Sequence, residues 1–307
     1  MIMIVTGIMA GLNTDEYIDK VVKFAKKRNM DIKVYDVFDM ISKEKNADIV
    51  HLLTMNDLFF REMRENAYLR IALDIKRNNV EHAIIKTHAT SEWNSVGFDF
   101  RDANAIKEIK PDMVVTLIDA EWLIEKRIMD PKTEMEKVFH KQFKKYDNRM
   151  EKVLDWMNRE VSQAEDWARS MSKDWNEFIP DYVVATGQPA ESLFKFFLDK
   201  NVPVFYASYS MTHATDEIRK IVDEGIKRLR QFGIVLDPQA IEIGLESEPG
   251  LDKDATYAYT VHRDLRYIVK KLRQNKKNAI VALHPYKERP PFTSGMCDEL
   301  GTARDYG

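Results

Sequence analysis

The sequence predicts an α/β protein made of two Rossmann-like three-layer domains with mostly parallel sheets, plus a helical insertion in the first. Short apolar runs rich in β-branched residues alternate with stretches whose apolar residues recur at helical spacing. The alternation forms two series, one to about Asn201 and one over 202–307. Length agrees with this, because 307 residues exceed the roughly 100–200 of a usual single domain.

Ile2 to Thr6 is the first apolar run, and Gly7 opens a small-residue turn after it. Tyr17, Ile18, Val21, Val22 and Ala25 then recur at helical spacing, with Thr14 as the expected N-cap and Asp15 and Glu16 in the first turn. Further strands are predicted at 31–35, 83–86, 113–118 and 182–185. Two of them open on one phrase, Pro111-Asp112-Met113-Val114-Val115 and Pro180-Asp181-Tyr182-Val183-Val184, a local habit of strand starts rather than a repeat. From about Lys132 to Phe178 the chain is charged and carries Trp156, Trp167 and Trp175, and it reads as a helical excursion. That excursion is either a lid or partner-binding hairpin, or a helical pair that packs on its own domain.

The second series has predicted strands at 203–207, 233–236 and 279–283. Ile218, Ile221, Val222, Ile226 and Leu229 form one helical stripe, and Val261, Leu265, Ile268, Val269 and Leu272 form another. Residues 244–254 have loop composition, and the segment from Ser294 reads as a loop entering a helix.

Lys plus Arg number 47 against 50 Asp plus Glu, a near balance that gives no electrostatic reason to expect nucleic acid or an anionic membrane as partner. A nucleoside or nucleotide small molecule fits better. Cys297 is the single cysteine, so neither an intrachain disulfide nor a cysteine-rich zinc site is expected. The seven histidines lack ligand spacing, and no metal or cofactor is expected. The opening MIMIVTGIMAG has no basic leader and too short an apolar run to span a membrane, so the expected location is the cytoplasm.

Two constellations could carry chemistry. The first is Gly7 to Thr14, GIMAGLNT, where a phosphate-binding loop would sit. Such a loop needs glycines for close backbone approach, a lysine for the β and γ phosphates and a hydroxyl for Mg²⁺. Gly7 and Thr14 match the pattern and Gly11 lies one position early, but Leu12 stands for the second glycine and Asn13 for the lysine. By location the segment resembles the opening of P-loop nucleoside and nucleotide kinases such as archaeal adenylate kinases, and the run from Pro111 through Arg127 to Asp130 is similar to their approach to the lid. The resemblance implies nucleotide binding at Gly7, Gly11, Asn13 and Thr14. Without the lysine it does not imply efficient phosphoryl transfer.

The second constellation is FYASYSMT (205–212), RLRQFGIVLDP (228–238), VHRDLRYI (261–268), AIVAL (279–283) and TSGMCDELGTA (293–303). In this order the segments resemble the nucleoside 2-deoxyribosyltransferase superfamily and its relatives, the deoxynucleoside 5′-monophosphate N-glycosidases. The resemblance implies Glu299 as nucleophile, Asp264 as hydrogen-bond or proton donor to the leaving base, and Tyr206 as the group that orients Glu299. Thr293, Ser294 and Gly295 would bind a sugar hydroxyl or 5′-phosphate, with Ser210 and Thr212 as further phosphate contacts. The chemistry suits the residue types: positive charge builds on C1′ as the N-glycosidic bond breaks, and a carboxylate beneath the sugar stabilises it or bonds to it. His213 and His284 are candidates for the pocket mouth, and Cys297 for a packed residue.

The family pattern has an aspartate where Asn275-Lys276-Lys277-Asn278 stand, and the loop 284–292 is basic and proline-rich for a base pocket. In the resembled family a further strand follows the glutamate helix, whereas Gly307 lies eight residues after Glu299. The expectation is a covered sheet edge, by the first domain or in a homo-oligomer. The favoured function is hydrolysis or transfer at an N-glycosidic bond; the alternatives are an atypical P-loop kinase and a non-catalytic nucleotide-binding or sensing protein.

Overall fold

A computed structural model describes residues 1–93, 96–172, 178–210, 215–242, 265, 268–285 and 292–306. The chain separates into two compact units, Met1–Thr186 and Gly187–Gly307. Both are α/β, as the alternation of strands and helices predicts.

The first unit holds strands β1 (Ile2–Thr6), β2 (Lys33–Asp36), β3 (Ala83–Lys86), β4 (Thr90–Trp93), β5 (Val96–Asp99), β6 (Met113–Ile118) and β7 (Asp181–Ala185). Its helices are α1 (Thr14–Lys26), α2 (Val37–Lys45), α3 (Ile49–Thr54), α4 (Asp57–Arg77), α5 (Ala103–Lys107), α6 (Glu121–Met129), α7 (Glu134–Phe143) and α8 (Arg149–Met171). Five strands form one parallel sheet in the order β2-β3-β1-β6-β7. Every residue of β1, β6 and β7 is buried, which is why these strands read as unbroken apolar runs. β4 and β5 form an antiparallel hairpin that the polar sequence Thr-Ser-Glu-Trp did not announce.

The chain follows β1 with β2 on one side, and follows β6, on β1's other side, with β7 further out. Connections therefore diverge at the β1–β6 pair, and open α/β sheets bind ligands in the crevice that such a divergence leaves at the carboxyl ends of strands.

Three helices stop in the same way. Asn29, Asn46 and Asn79 follow α1, α2 and α4 at positive φ, and the next N–H in each case bonds back five residues: Met30 to the Ala25 carbonyl at 3.1 Å, Ala47 to Ser42 at 3.1 Å and Val80 to Ile75 at 3.0 Å. This is the Schellman stop, with asparagine where glycine is commoner. The N-cap of α1 is Asn13 (φ 53°), also left-handed and without a side-chain capping bond, and Thr14, the expected cap, is the first helical residue.

The excursion at 132–178 contains α7 and α8, and α8 packs on β6 and β7 of the parallel sheet and on β4 of the hairpin. Trp156 and Trp167 are buried, while Trp175 lies outside the described residues. An ion pair is also sealed in the core: Arg64 on α4 is 0% exposed and Asp102 1%. Arg64 Nε donates to Asp102 Oδ2 at 2.8 Å, and Nη2 reaches the His88 carbonyl at 2.8 Å. The guanidinium lies 3.9 Å from the Phe100 ring centroid, with Phe38 at 5.1 Å.

The second unit has a three-stranded parallel sheet, β10-β8-β9, from β8 (Val204–Ser208), β9 (Ile234–Leu236) and β10 (Ala279–Ala282). Its helices are α9 (Ala190–Leu198), α10 (Asp216–Leu229), α11 (Gln239–Glu242) and α12 (Ser294–Tyr306). Where a stripe from Val261 predicts a helix, the described part is a 3-10 segment, Val269–Gln274. No helix among the described residues is long and apolar enough to cross a membrane.

Removing one partner of the sealed pair strands the other charge in the core. Asp102→Ala is expected to destabilise the protein by about 3–5 kcal/mol, whereas the double variant Arg64→Met, Asp102→Leu recovers most of that loss. Urea unfolding followed by tryptophan fluorescence checks it; a single variant as stable as wild type would show that the pair is dispensable.

Candidate functional site

In the first unit the candidate site is the carboxyl edge of the parallel sheet, where Gly7 to Asn13 link β1 to α1. This loop is packed rather than open: Ile8, Met9, Ala10 and Leu12 are all buried. A Cβ at Gly7 would meet the Leu12 side chain and lie 3.0 Å from the Leu117 carbonyl. At Gly11, φ is +75° and a Cβ would come within 2.7 Å of the Ile124 carbonyl, so both space and backbone demand glycine there.

Glu160 reaches this edge from α8. Its Oε1 accepts from Gly7 N at 3.0 Å, from Ala89 N at 2.7 Å and from the Thr6 hydroxyl, and Oε2 accepts from Thr90 N and the Thr90 hydroxyl, both at 2.7 Å. Burial pushes the Glu160 carboxyl above its ordinary range, and the hydrogen bonds of Thr6, Thr90 and Ala89 oppose that push. Three backbone N–H groups from two separate strand ends thus converge on one internal carboxylate. The first glycine of the loop gives its N–H to the protein's own carboxyl group.

Beside it, His88 Nδ1 donates to the Gly7 carbonyl at 2.6 Å, and the ring meets Phe38 edge-on. Burial lowers the His88 imidazole to about 4, so it is neutral near pH 7. Lys86 Nζ lies 2.6 Å from Asp36 and also pairs with Asp15 in the first turn of α1. Burial pulls the Lys86 ammonium down, but the two carboxylates outweigh it and hold it above its ordinary value. On the other side of β1, Asp119 accepts from Arg127 at 2.7 Å and from the Thr186 hydroxyl at 2.8 Å, and Arg127 also donates to the Gly11 carbonyl at 2.9 Å. Neither Asn13, which is exposed, nor Thr14 supplies the missing lysine charge.

In the second unit the candidate site lies between β8 and α12. The Tyr206 hydroxyl donates to Glu299 Oε1 at 2.7 Å, and the Ser208 hydroxyl donates to Oε2 at 2.5 Å. The structure thus brings Tyr206 and Glu299 together and adds Ser208, which sequence reasoning missed. The signal was available, because Ser208 is two residues from Tyr206 and shares its face of the strand.

α12 begins at Ser294 and is capped by Thr293, whose hydroxyl accepts from Met296 N at 3.4 Å. Glu299 is therefore in the second turn, where the helix-end field, which falls off within the first turn, contributes little to its charge. Ser294 is exposed and Gly295 half-buried beside Thr293 at the same helix start, and the Cys297 thiol is exposed rather than packed. Ser210 is buried just past β8, and its hydroxyl has no partner among the described residues. His284 stacks edge-on against Phe292. Asp264, Thr212 and His213 lie outside the described residues, as does the loop at 244–254. Among the described residues no group of histidine, cysteine and carboxylate side chains could hold a metal ion.

By sequence, the chain matches no family model and no curated protein. Solved structures with some likeness include a shikimate kinase from Bacteroides thetaiotaomicron, 12% identical with a TM-score of 0.40, over 65% of this chain and 97% of that one. A shikimate kinase from Aquifex aeolicus is 14% identical with a TM-score of 0.37, over 64% and 94%. An uncharacterized protein from Eubacterium ventriosum is 13% identical with a TM-score of 0.29, over 65% and 97%. Likeness this faint assigns no activity. Nothing in these comparisons supports the deoxyribosyltransferase resemblance, which rests on the residues of the second unit alone.

The His88 ring yields a pH prediction. Its folded value of about 4 lies below the unfolded 6.5, so the unfolded chain takes up the proton first as pH falls. Its contribution is complete above pH 6.5 and is lost towards pH 4, a change of roughly 3 kcal/mol. Urea midpoints measured from pH 7 to 4 are expected to fall less steeply in His88→Gln than in wild type. Parallel curves would remove His88 from the pH dependence.

Proposed function

We propose that the chain acts on a nucleoside or nucleotide and breaks or exchanges its N-glycosidic bond in the second unit, with Glu299 as nucleophile. The supporting observation is the pair of hydroxyls, from Tyr206 and Ser208, that hold the two oxygens of the Glu299 carboxylate. A carboxylate held in this way suits attack on C1′: the C1′–O bond forms as the C1′–N bond breaks, and the electron pair leaves on the base nitrogen with a proton from an acid. Asp264 suits that acid by its place in the resembled pattern. Water or a second base then displaces the carboxylate from C1′. Thr293, Ser294 and Ser210 are the proposed sugar or phosphate contacts.

The test is release of free base, followed by chromatography, from a panel of nucleosides, nucleoside monophosphates and NAD. Glu299→Gln is expected to lower it by about 10²-fold or more with the fold preserved. Unchanged release in that variant would sink the assignment.

A second reading, a nucleotide kinase in the first unit, is favoured by the divergence of connections at β1–β6 and by Arg127, Asp119 and Lys86 at that edge. Against it stand Asn13 in the lysine position and the Gly7 N–H given to Glu160. We expect nucleotide binding without efficient transfer there, so that ATP turnover stays below about 1 s⁻¹, the lower end of kinase rates, in wild type and in Asn13→Lys. Faster turnover would make the first unit a kinase.

A further inference from the structure

β8 turns Tyr206 and Ser208 to one face, while Ala207 and Tyr209 enter a core with Val222, Ile226 and Val235. Tyr206 and Ser208 are each 0% exposed, yet their hydroxyls end on Glu299, which is only half-buried. The main chain of Ser208 is already secured: it pairs with Ala282 across the sheet, and its carbonyl accepts from Leu283 N at 2.8 Å. The side-chain hydroxyl adds nothing to that ladder and is spent wholly on the carboxylate.

We propose that Ser208 is a positioning residue: by donating to Oε2 while Tyr206 donates to Oε1, it fixes the plane of the Glu299 carboxylate for attack on the sugar C1′. The proposal rests on the glycosidic reading above. The last torsion of a glutamate, the one that sets the carboxylate plane, has a broad and shallow preference. Donors on both oxygens narrow the swing about that bond more than a donor on one oxygen does. Both donors come from one strand, which holds positions more tightly than a loop does. Attack needs the reacting atoms about 3–3.5 Å apart, and a misplacement of about 1 Å costs up to 10²-fold in rate.

Two measurements on the full chain test this, with wild type, Ser208→Ala, Ser208→Thr and Glu299→Gln. The first is base release from deoxynucleosides and their 5′-monophosphates, separated into kcat and KM. The second is a ¹³C NMR titration of protein labelled at the glutamate carboxyl carbon, with the Glu299 signal identified by its loss in Glu299→Gln. Ser208→Ala is expected to lower kcat by about 10²-fold with KM little changed, and Ser208→Thr, which keeps the hydroxyl, to recover most of the rate. In the titration, losing a donor to the ionised form raises the Glu299 midpoint in Ser208→Ala and not in Ser208→Thr. Lys270, Lys271 and Arg273, on the 3-10 segment packed against α12, stay in place throughout. Wild-type kcat in Ser208→Ala, or an unmoved midpoint, overturns the positioning role. If wild type releases no base, the glycosidic reading falls, and the titration decides alone whether Ser208 holds the carboxylate.

Discussion

The first unit depends on one buried carboxylate. Glu160 ties the end of β1, the stretch after β3 and the start of β4 to α8 through five donors. A backbone N–H left without a partner in the core costs about 1–3 kcal/mol, and those of Gly7 and Thr90 depend on this carboxyl group, while Ala89 N also donates to the Thr6 hydroxyl at 3.0 Å. The same carboxylate explains why a loop placed like a phosphate cradle is tightly filled. Its opening glycine already serves a carboxyl group, and Leu12 packs over it.

The second unit uses a carboxylate differently. Glu299 takes hydrogen bonds from two side-chain hydroxyls, where Glu160 takes three from main-chain N–H groups, and it is half-buried where Glu160 is sealed. A sealed carboxylate with five donors is structural by necessity, because nothing can reach it. One held at the edge of a sheet by two hydroxyls keeps a route to a ligand, and this contrast in exposure separates the two glutamates more sharply than their neighbours in sequence do.

Much of the fold was legible. β1, β3 and β6 could be placed to the residue because strands buried on both faces read as nearly continuous apolar, β-branched runs. β2 fell at 33–36 rather than 31–35, since two of its four residues are exposed and give no such signal. The β4–β5 hairpin was hidden because the side chains of β4 are mostly polar where a strand signal is apolar, and one of them, Glu92, is buried against Arg159 of α8. Glu160 carried a readable clue: it lies four residues after Trp156 and seven before Trp167, a charge inside an apolar helical stripe, and a buried charge is the informative exception. At the second site, the resemblance named Tyr206 and Glu299 as neighbours in function. It did not name Ser208, although the period-2 alternation of β8 puts that hydroxyl on the same face as Tyr206.

The asparagines at the helix ends bear on the chain before it folds. Glycine would enter the left-handed region without strain, but it would leave the unfolded chain freer by roughly 0.5–1 kcal/mol at each point. Asparagine trades part of that entropy for a little strain in the folded state, and its short polar side chain still visits the left-handed region locally. Asn29, Asn46 and Asn79 therefore bias the chain to turn at these points even in the denatured ensemble. The helix boundaries are in this sense a property of the disordered polymer as well as of the native protein.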